Sequence, residues 1–203
     1  MSEVFNMKKK AEERQKQILS AAYHAVAEKG YESVTLQDIA DYAKVSKGVV
    51  HYYFENKEDV LSKLLASITE QIARGHHEAI AKQSTAEGKL RAYIDSVFIS
   101  PEKNKTFYRV YLDFIAKASQ NDTYREINQT FYENCFTIAR SIIVQGQEEG
   151  AFDESLNPES SAKMIRALID GLLIQWLMGG DEDKHTYYQE ICVETILKQF
   201  TPS

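Results

Sequence analysis

The sequence predicts an all-α protein, made of a small N-terminal domain of three helices and a larger C-terminal helical bundle. Only three prolines and nine glycines occur in 203 residues, so few residues are available to end helices or to form hairpin turns. Apolar residues recur at helical spacing through most of the chain, and no segment alternates as a half-buried strand does. With 43% hydrophobic residues, the chain has enough apolar surface to form a buried core.

The first helix is predicted from about Ala11 to Lys29. Gly30, directly after it, is a typical helix stop. The second helix is short and begins after Thr35, because Asp38 three residues later completes a reciprocal Thr-x-x-Asp cap. The apolar residues with a period of 3.6 are Ile18, Leu19, Ala22, Ala25 and Val26 in the first helix, and Leu36, Ile39, Ala40 and Ala43 in the second.

A third short helix is expected to begin at the cap Ser46 and to end near Tyr53. Val45 and Val50 occupy the two positions of a hydrophobic staple, which fixes the angle at which the chain joins the helix. Only two residues, Lys44 and Val45, therefore separate the second helix from the cap of the third.

Asn56 is expected to cap a fourth helix that continues to about Ala81, with acidic residues in its positively polarised first turn. We place the domain boundary at its start, with residues 1–57 in the N-terminal domain and 58–203 in the C-terminal domain. The stretch 159–178 is apolar on nearly all sides, so it needs cover both from its own domain and from a second subunit. The amphipathic stretches beyond the fourth helix are 86–99, 104–118, 122–149, 159–178 and 184–200.

Cys135 and Cys192 lie in apolar helical patterns without a CxxC motif or neighbouring histidines, so we expect reduced core thiols. The N-terminus is charged and lacks the apolar core of a signal peptide. The longest apolar stretch, Met164–Met178, contains Arg166 and Asp170 and is shorter than the ~20 residues of a membrane span. We therefore expect a cytoplasmic protein that makes no membrane contact.

The net charge of −6 is unevenly distributed along the chain. Residues 1–57 contain nine Lys and Arg against eight Asp and Glu, whereas residues 58–203 contain fifteen against twenty-two. Because phosphate contacts are made by a local patch, the acidic total does not exclude DNA. Two short helices joined by a tight turn, the second opening Ser46-Lys47-Gly48, form a geometry that presents a helix N-terminus to a DNA phosphate.

The segment Gly30–Lys57, GYESVTLQDIADYAKVSKGVVHYYFENK, closely resembles the DNA-binding region of TetR-family regulators. The shared pattern is an aromatic residue after Gly, a Thr-capped helix containing D-I-A, then V-S-x-G and a Y-x-F-x-x-K-E ending. The rest of the chain is similar only in length and helix layout. The resemblance implies a dimeric helix-turn-helix regulator, commonly a repressor, whose C-terminal domain holds a small-molecule effector.

Carried over residue by residue, the DNA-contacting positions of the family are Thr35, Gln37, Ser46, Lys47, Gly48, His51, Tyr52, Tyr53 and Lys57. Thr35 and Ser46 act as helix caps in either case, and Tyr53 either packs in the domain or contacts phosphate. Lys44 stands where the turn residue is usually Gly, and a non-Gly residue in a left-handed conformation costs roughly 1 kcal/mol. Val49 stands where a small polar residue is frequent, and it suits contact with a thymine methyl group.

The resemblance also implies that the last two helices form a four-helix interface with a second subunit. A twofold dimer places two recognition helices ~34–36 Å apart, one turn of DNA, and therefore predicts a palindromic operator. The residues expected in the interface are Leu168, Leu172, Trp176, Ile191 and Ile196.

Aromatic residues are frequent in the middle helices, where they form either an ordinary core or the lining of an apolar ligand cavity. Arg109, Asp113 and Gln145 would supply polar anchors if they face inward. The expected effector is a small apolar or aromatic molecule that shifts the population between two conformations and moves the fourth helix. The residues assigned to the cavity are Tyr93, Phe98, Phe107, Tyr108, Tyr111, Phe114, Phe131 and Cys135.

No cofactor, metal or enzymatic activity is expected. The chain has no Gly-rich phosphate loop, G-x-S-x-G or H-E-x-x-H motif, and its five histidines lack the spacing of metal ligands. Two alternatives stay open: a helical interaction protein whose helix-turn-helix no longer binds DNA, and a nucleoid-associated protein with many sites. Activation instead of repression, and strengthening instead of weakening of DNA binding by the ligand, also stay open.

Overall fold

The computed structural model describes residues 2–202, with side chains from residue 6 onward, so the terminal residues of the two predicted domains, 1 and 203, lie outside the described residues. Over the described range the chain is helical without a strand, which confirms the all-α class. A short 3₁₀ helix, Glu182–Lys184, precedes the last α-helix. The α-helices are α1 (Ser2–Lys29), α2 (Leu36–Tyr42), α3 (Lys47–Tyr53), α4 (Lys57–Ile80), α5 (Ala86–Val97), α6 (Pro101–Ala118), α7 (Asp122–Glu148), α8 (Pro158–Gly179) and α9 (His185–Phe200).

The first helix is longer than predicted, since α1 begins at Ser2 and not near Ala11. The mostly polar stretch 8–17 separates the added residues from the apolar pattern that begins at Ile18, on which the prediction depended. The helix ends as expected at Gly30, whose φ of 81° is left-handed and whose N–H donates to the carbonyl oxygen of Val26 at 2.8 Å.

The predicted reciprocal cap of α2 is present. The Thr35 hydroxyl accepts from the Asp38 backbone N–H at 3.1 Å, and the Asp38 carboxylate accepts from the Thr35 N–H at 2.8 Å. The ammonium of Lys29 and the two donors of Thr35 hold the pKa of Asp38 at about 2. The start of α2 is therefore fixed by hydrogen bonds that an Asp carboxylate keeps at neutral pH.

By backbone contacts the chain divides into two compact units. The first, the N-terminal unit, contains residues 1–69 and 109–128, and the second, the C-terminal unit, contains 70–108 and 129–203. Each has its own apolar core: that of the N-terminal unit includes Ile18, Ala22, Ile39, Val50, Phe54 and Leu61, and that of the C-terminal unit includes Leu90, Ile94, Ile143, Ile165, Leu173 and Ile196. The proposed functional boundary after Lys57 stays a prediction.

A partly buried polar network joins four segments of the N-terminal unit: the loop after α1, α4, α6 and α7. The hydroxyl of Tyr124 donates to the Glu58 carboxylate at 2.7 Å, and that of Tyr31 does so at 3.0 Å. The backbone N–H of Tyr31 also donates to Asp113 at 3.1 Å. The start of α4 is thus held against the loop after α1 and against α7, which positions the short helices between them.

None of the helices in the described part of the chain is long and apolar enough to cross a membrane. The most apolar one, α8, is interrupted by Arg166 and Asp170, in agreement with the sequence prediction.

Candidate DNA-binding and ligand-binding sites

The turn between α2 and α3 has the tight geometry expected of a helix-turn-helix. Lys44 adopts a φ of 54°, as its position in the turn predicts, and the Val45 N–H donates to the carbonyl oxygen of Ala40 at 3.0 Å. Ser46 then caps α3 by accepting from the backbone N–H of Val49 at 3.3 Å. Only Val45 and Ser46 separate the left-handed Lys44 from the start of α3. The turn therefore sets the direction of the N-terminus of α3.

The outer face of α3 carries the side chains that are available to DNA. Lys47, Gly48, His51 and Tyr52 are exposed, Tyr52 to 81%. Among the described residues, neither Lys47 nor His51 makes a side-chain hydrogen bond or ion pair. A Cβ atom on Gly48 would meet one described side-chain atom, the Ser46 Oγ at 3.8 Å, so packing inside the chain does not require glycine there.

The remaining predicted contacts of α2 and α3 are partly engaged within the chain. Thr35 and Gln37 are exposed, and the Gln37 amide donates to the Asp41 carboxylate at 2.8 Å. Tyr53 is half-buried, and its ring meets that of Tyr52 edge to face with centroids 4.9 Å apart. Their contacts with DNA stay predictions.

Lys57 is tied to the loop after α1. Its ammonium donates to the carbonyl oxygen of Glu32 at 3.1 Å and lies 5.5 Å from the ring centre of Tyr31. A phosphate contact by Lys57, which also stays a prediction, would add to these interactions or replace the hydrogen bond.

The residues predicted to bind a ligand are divided between the two units. Tyr93, Phe98, Tyr108, Phe131 and Cys135 are at most 3% exposed in the C-terminal unit, and Phe107 of the same unit is half-buried. Tyr111 and Phe114 belong to the N-terminal unit, where Phe114 packs edge to face on Tyr31 and Tyr124. The first group is therefore the better basis for a ligand site, since its members share one core.

The three proposed polar anchors have other surroundings. Asp113 accepts from the Tyr31 backbone, and the Gln145 carbonyl accepts from Lys89 at 2.6 Å. Arg109 is exposed, and it lines an open groove of about 620 Å³ in the N-terminal unit, together with Gln17, Ser20, Ala21, His24, Ala27, Glu28, Tyr42, Ala43 and Lys44. The residues assigned to the ligand cavity do not line this groove.

Sequence reasoning did not select the most distinctive polar feature of the C-terminal unit, an ion pair between Arg166 and Asp170 on α8. Arg166 is 3% exposed, and it donates from Nε to Asp170 Oδ2 at 3.0 Å and from Nη2 to Asp170 Oδ1. Its guanidinium lies 5.3 Å from the ring centre of Phe131. Two opposite charges four residues apart in an otherwise apolar helix were the signal that could have identified this pair.

The predicted interface residues differ in how much surface they offer. Trp176 and Ile196 are 3% and 0% exposed within the single chain, so they have almost no surface left for a partner. Leu168 and Ile191 are half-exposed, and Leu172 is 9% exposed. The apolar side chains with substantial free surface on α8 and α9 are Ile174, Met178 and Tyr187.

A short helix whose N-terminus and outer face are exposed, preceded by a tight turn and a capped helix, defines a helix-turn-helix DNA-binding protein with an additional helical unit. Comparison with known proteins agrees. The family model for bacterial regulatory proteins of the tetR family matches residues 18–64, and that for the C-terminal domain of BetI-type transcriptional repressors matches residues 86–201. The chain belongs to the TetR family: it is a DNA-binding, ligand-responsive transcriptional regulator, and proteins of this family are not enzymes.

Individual relatives are distant but cover most of the chain. The fatty acid metabolism regulator protein of Bacillus subtilis is 28% identical over 164 residues, which is 80% of this chain and 82% of that protein. The structure of the regulator FadR from Bacillus subtilis in complex with stearoyl-CoA is 26% identical, with a TM-score of 0.79 over 90% of this chain and 97% of that one. A transcriptional regulator from Saccharomonospora viridis in complex with choline shares the fold, with 23% identity and a TM-score of 0.87 over 95% and 100% of the two chains.

Proposed function

We propose that this protein represses transcription by occupying a palindromic operator as a homodimer, and that a small apolar molecule in the C-terminal unit releases it. The observation that carries the proposal is the outer face of α3, where Lys47, Gly48, His51 and Tyr52 are exposed at a helix N-terminus. Backbone N–H groups at such an end attract phosphate, and the side chains reach base edges in the major groove. Because its target is chromosomal DNA, the protein works in the cytoplasm.

Binding to the DNA upstream of its own gene tests this proposal. Fluorescence anisotropy with an unrelated duplex of equal length as competitor, at two salt concentrations, is expected to give saturable binding of one dimer per palindrome. A failure to prefer any DNA in a genome-wide binding selection would contradict the proposal and favour the DNA-free interaction protein. Many sites of equal affinity would favour the nucleoid-associated alternative.

Lys47→Ala tests the docking of α3. Removing one phosphate contact is expected to weaken operator binding and to make the slope of log K against log salt shallower by about 0.9. Because Lys47 is exposed, the circular dichroism spectrum and the dimer are expected to persist. Lys82→Ala, a change of an exposed lysine just after α4, is the matched control and should leave the slope unchanged. An unchanged affinity for the Lys47 variant would place the phosphate contact elsewhere.

For the dimer, we propose an interface centred on the exposed apolar side chains of α8 and α9, Ile174, Met178 and Tyr187, with Leu168, Leu172 and Ile191 beside them. Apolar side chains left in solvent on two adjacent helices are typical of a homodimer surface. Trp176 and Ile196 are buried within the single chain, so in this proposal they contribute to the core and not to direct contacts with the partner.

For the effector, we propose an apolar molecule bound among the buried aromatic residues of the C-terminal unit. The support is the shared core of Tyr93, Phe98, Tyr108 and Phe131, and the two related structures whose ligands are stearoyl-CoA and choline. Stearoyl-CoA has a long apolar chain, and its complex is with the relative of higher identity. Binding would move α4, which contributes residues to both units, and so change the spacing of the two recognition helices.

A further inference from the structure

The C-terminal unit contains three buried polar side chains, His76, Tyr93 and Arg166, and the partly exposed Asp170 that pairs with Arg166; we call these four the polar cluster. His76 is 1% exposed and Tyr93 is 0% exposed, and their rings meet edge to face with centroids 5.0 Å apart. The Arg166 guanidinium interacts with the Tyr93 hydroxyl, and its positive charge also acts on His76. The cluster draws on three helices, α4, α5 and α8.

Three atoms of the polar cluster make no hydrogen bond of ordinary geometry among the described residues: Arg166 Nη1, His76 Nε2 and the Tyr93 hydroxyl, which interacts only weakly with Cys135 and Arg166. A buried polar atom that lacks a partner is rare in native proteins, because it gives up hydrogen bonds to water without replacement. Three such atoms in one cluster therefore point to a partner that binds there.

The hydrogen bonds around His76 determine what Nε2 can do. The Ser96 hydroxyl donates its single proton to the backbone carbonyl of Tyr93 at 2.6 Å, so it must accept from His76 Nδ1, which lies 2.7 Å away. Burial, with a contribution from Arg166 and His77, lowers the pKa of His76 to about 3. The imidazole is consequently neutral, its proton is on Nδ1, and Nε2 is an acceptor.

The charge of Arg166 is already compensated. Asp170 accepts from Arg166 Nε and Nη2, from Tyr108 at 3.2 Å and from Tyr132 at 3.1 Å, which fills the four lone-pair positions of a carboxylate. The cluster therefore has no net charge, and Asp170 has no position left for a ligand cation. A ligand anion would lose its hydration without meeting an uncompensated positive charge.

We propose that the polar cluster binds an uncharged effector through a polar group that accepts hydrogen bonds from Arg166 and Tyr93 and donates one to His76. A hydroxyl is the simplest such group. This inference rests on the proposed function, because it assigns the polar end of the effector for the same sensing unit. The apolar body of the effector would pack among the neighbouring aromatic side chains, which include Phe131.

Isothermal titration of the full-length protein at pH 7.5 tests this assignment with three matched probes. These are 1-naphthol, naphthalene, which lacks the hydroxyl, and 1-naphthoate, which carries a charge. We expect 1-naphthol to bind about tenfold more tightly than naphthalene, from two or three added hydrogen bonds, and 1-naphthoate to bind more weakly than 1-naphthol. Equal affinities for 1-naphthol and naphthalene, or no binding of either, would overturn the assignment and leave buried water as the partner of these atoms.

Tyr93→Phe removes one of the three atoms, together with its contacts to the Cys135 thiol and the Arg166 guanidinium, and keeps the buried ring, so the fold is expected to persist. It should weaken 1-naphthol binding about three- to tenfold, the effect of one hydrogen bond, and leave naphthalene binding unchanged. Tyr188→Phe, outside the cluster on α9, is the matched control and should change neither. An unaltered ratio of affinities in the Tyr93 variant would overturn the assignment.

Anisotropy with operator DNA on the same preparations separates this inference from the proposed function. If the protein binds operator DNA but has equal affinities for 1-naphthol and naphthalene, the inference is wrong and the proposed repressor function still stands. If the protein shows neither operator binding nor a preference for 1-naphthol over naphthalene, the proposed function is contradicted as well.

Discussion

Gly146 and Gly48 differ in the space that the chain leaves for a side chain. A Cβ atom at Gly146 would lie 2.0 Å from the Phe152 ring, so internal packing excludes any side chain there. At Gly48 the chain itself leaves room for a Cβ atom, although this residue lies at the exposed start of the recognition helix. Internal packing therefore does not require glycine at position 48, whereas the predicted approach of a DNA backbone would.

We predict that Gly48→Ala weakens operator binding roughly tenfold or more, because the methyl group would keep the helix N-terminus from the phosphate. Protein stability should rise by about 0.5–1 kcal/mol, since alanine is the better helix former. Anisotropy and urea unfolding measure the two effects. Gly146→Ala is the contrasting variant, expected to lose about 1–3 kcal/mol of stability by overpacking. A Gly48 variant with normal operator affinity would contradict the docking of α3.

His76 should make the stability of the protein depend on pH. Its pKa of about 3 in the folded chain lies below the ordinary value of 6.5, so below pH 6.5 the unfolded chain takes up a proton that the folded chain does not. Stability from this group is present above pH 6.5 and is lost as the pH falls towards 3. Between pH 7 and pH 5 the loss is about 2 kcal/mol.

His76→Gln should abolish that part of the pH dependence, which urea unfolding at pH 7 and pH 5 measures as a difference between variant and wild type. His77→Gln, a change of the exposed neighbouring histidine, is the control and should behave as the wild type does. Parallel curves for wild type and the His76 variant would mean that the buried imidazole does not resist protonation.

At the scale of elements, the helix-turn-helix depends on a strained residue. Lys44 adopts a positive φ in the turn, where glycine would be free of the clash between Cβ and carbonyl oxygen. The caps on either side, Thr35 on α2 and Ser46 on α3, and the Val45 N–H bond to Ala40 hold the turn in place. The strain at Lys44 persists because these neighbouring interactions determine the backbone.

We predict that Lys44→Gly stabilises the protein by about 0.5–1 kcal/mol. The energy gained by relieving the left-handed strain exceeds the cost of the larger conformational entropy that glycine gives the unfolded chain. Thermal unfolding measures the change. Ala66→Gly, inside α4 with ordinary helical geometry, should instead lose about 1 kcal/mol. A destabilised Lys44 variant would show that the lysine side chain makes a contribution larger than its backbone strain.

At the scale of the whole molecule, function requires two copies. The exposed apolar side chains on α8 and α9, Ile174, Met178 and Tyr187, are the surface on which we base the dimer. In a twofold interface the same residue of each copy lies near the axis or opposite a common partner, so a charge introduced there is introduced twice.

Met178→Asp is therefore expected to weaken the dimer by about a hundredfold, since like charges in an interface cost several kcal/mol. Sedimentation equilibrium measures the dimer, and operator affinity should fall in parallel. Val144→Asp, a change of an apolar residue on α7 that is 42% exposed, is the control and should leave the dimer unchanged. Normal sedimentation of the Met178 variant would exclude this face as the interface.

Local sequence signals determined most of the secondary structure and the position of the DNA-binding segment. Caps, staples and helix stops act within a few residues, so Thr35, Ser46, Asn56 and Gly30 could be read directly from their neighbours. The left-handed turn at Lys44 follows from the resemblance to TetR-family regulators, in which this turn residue is usually Gly. The sequence does not predict the extra turns of α1, because the mostly polar stretch 8–17 interrupts the apolar periodicity.

Only the tertiary structure decided which buried residues share a core. Periodicity shows that a helix has an apolar face but not which neighbour covers it, so it groups Phe114 and Phe131 in one cavity although they belong to different units. For the same reason periodicity alone does not distinguish Trp176 and Ile196, whose side chains are buried within the chain, from residues available to a second subunit. The unpaired atoms of His76, Tyr93 and Arg166 depend on three-dimensional distances between helices far apart in sequence, which no local pattern encodes.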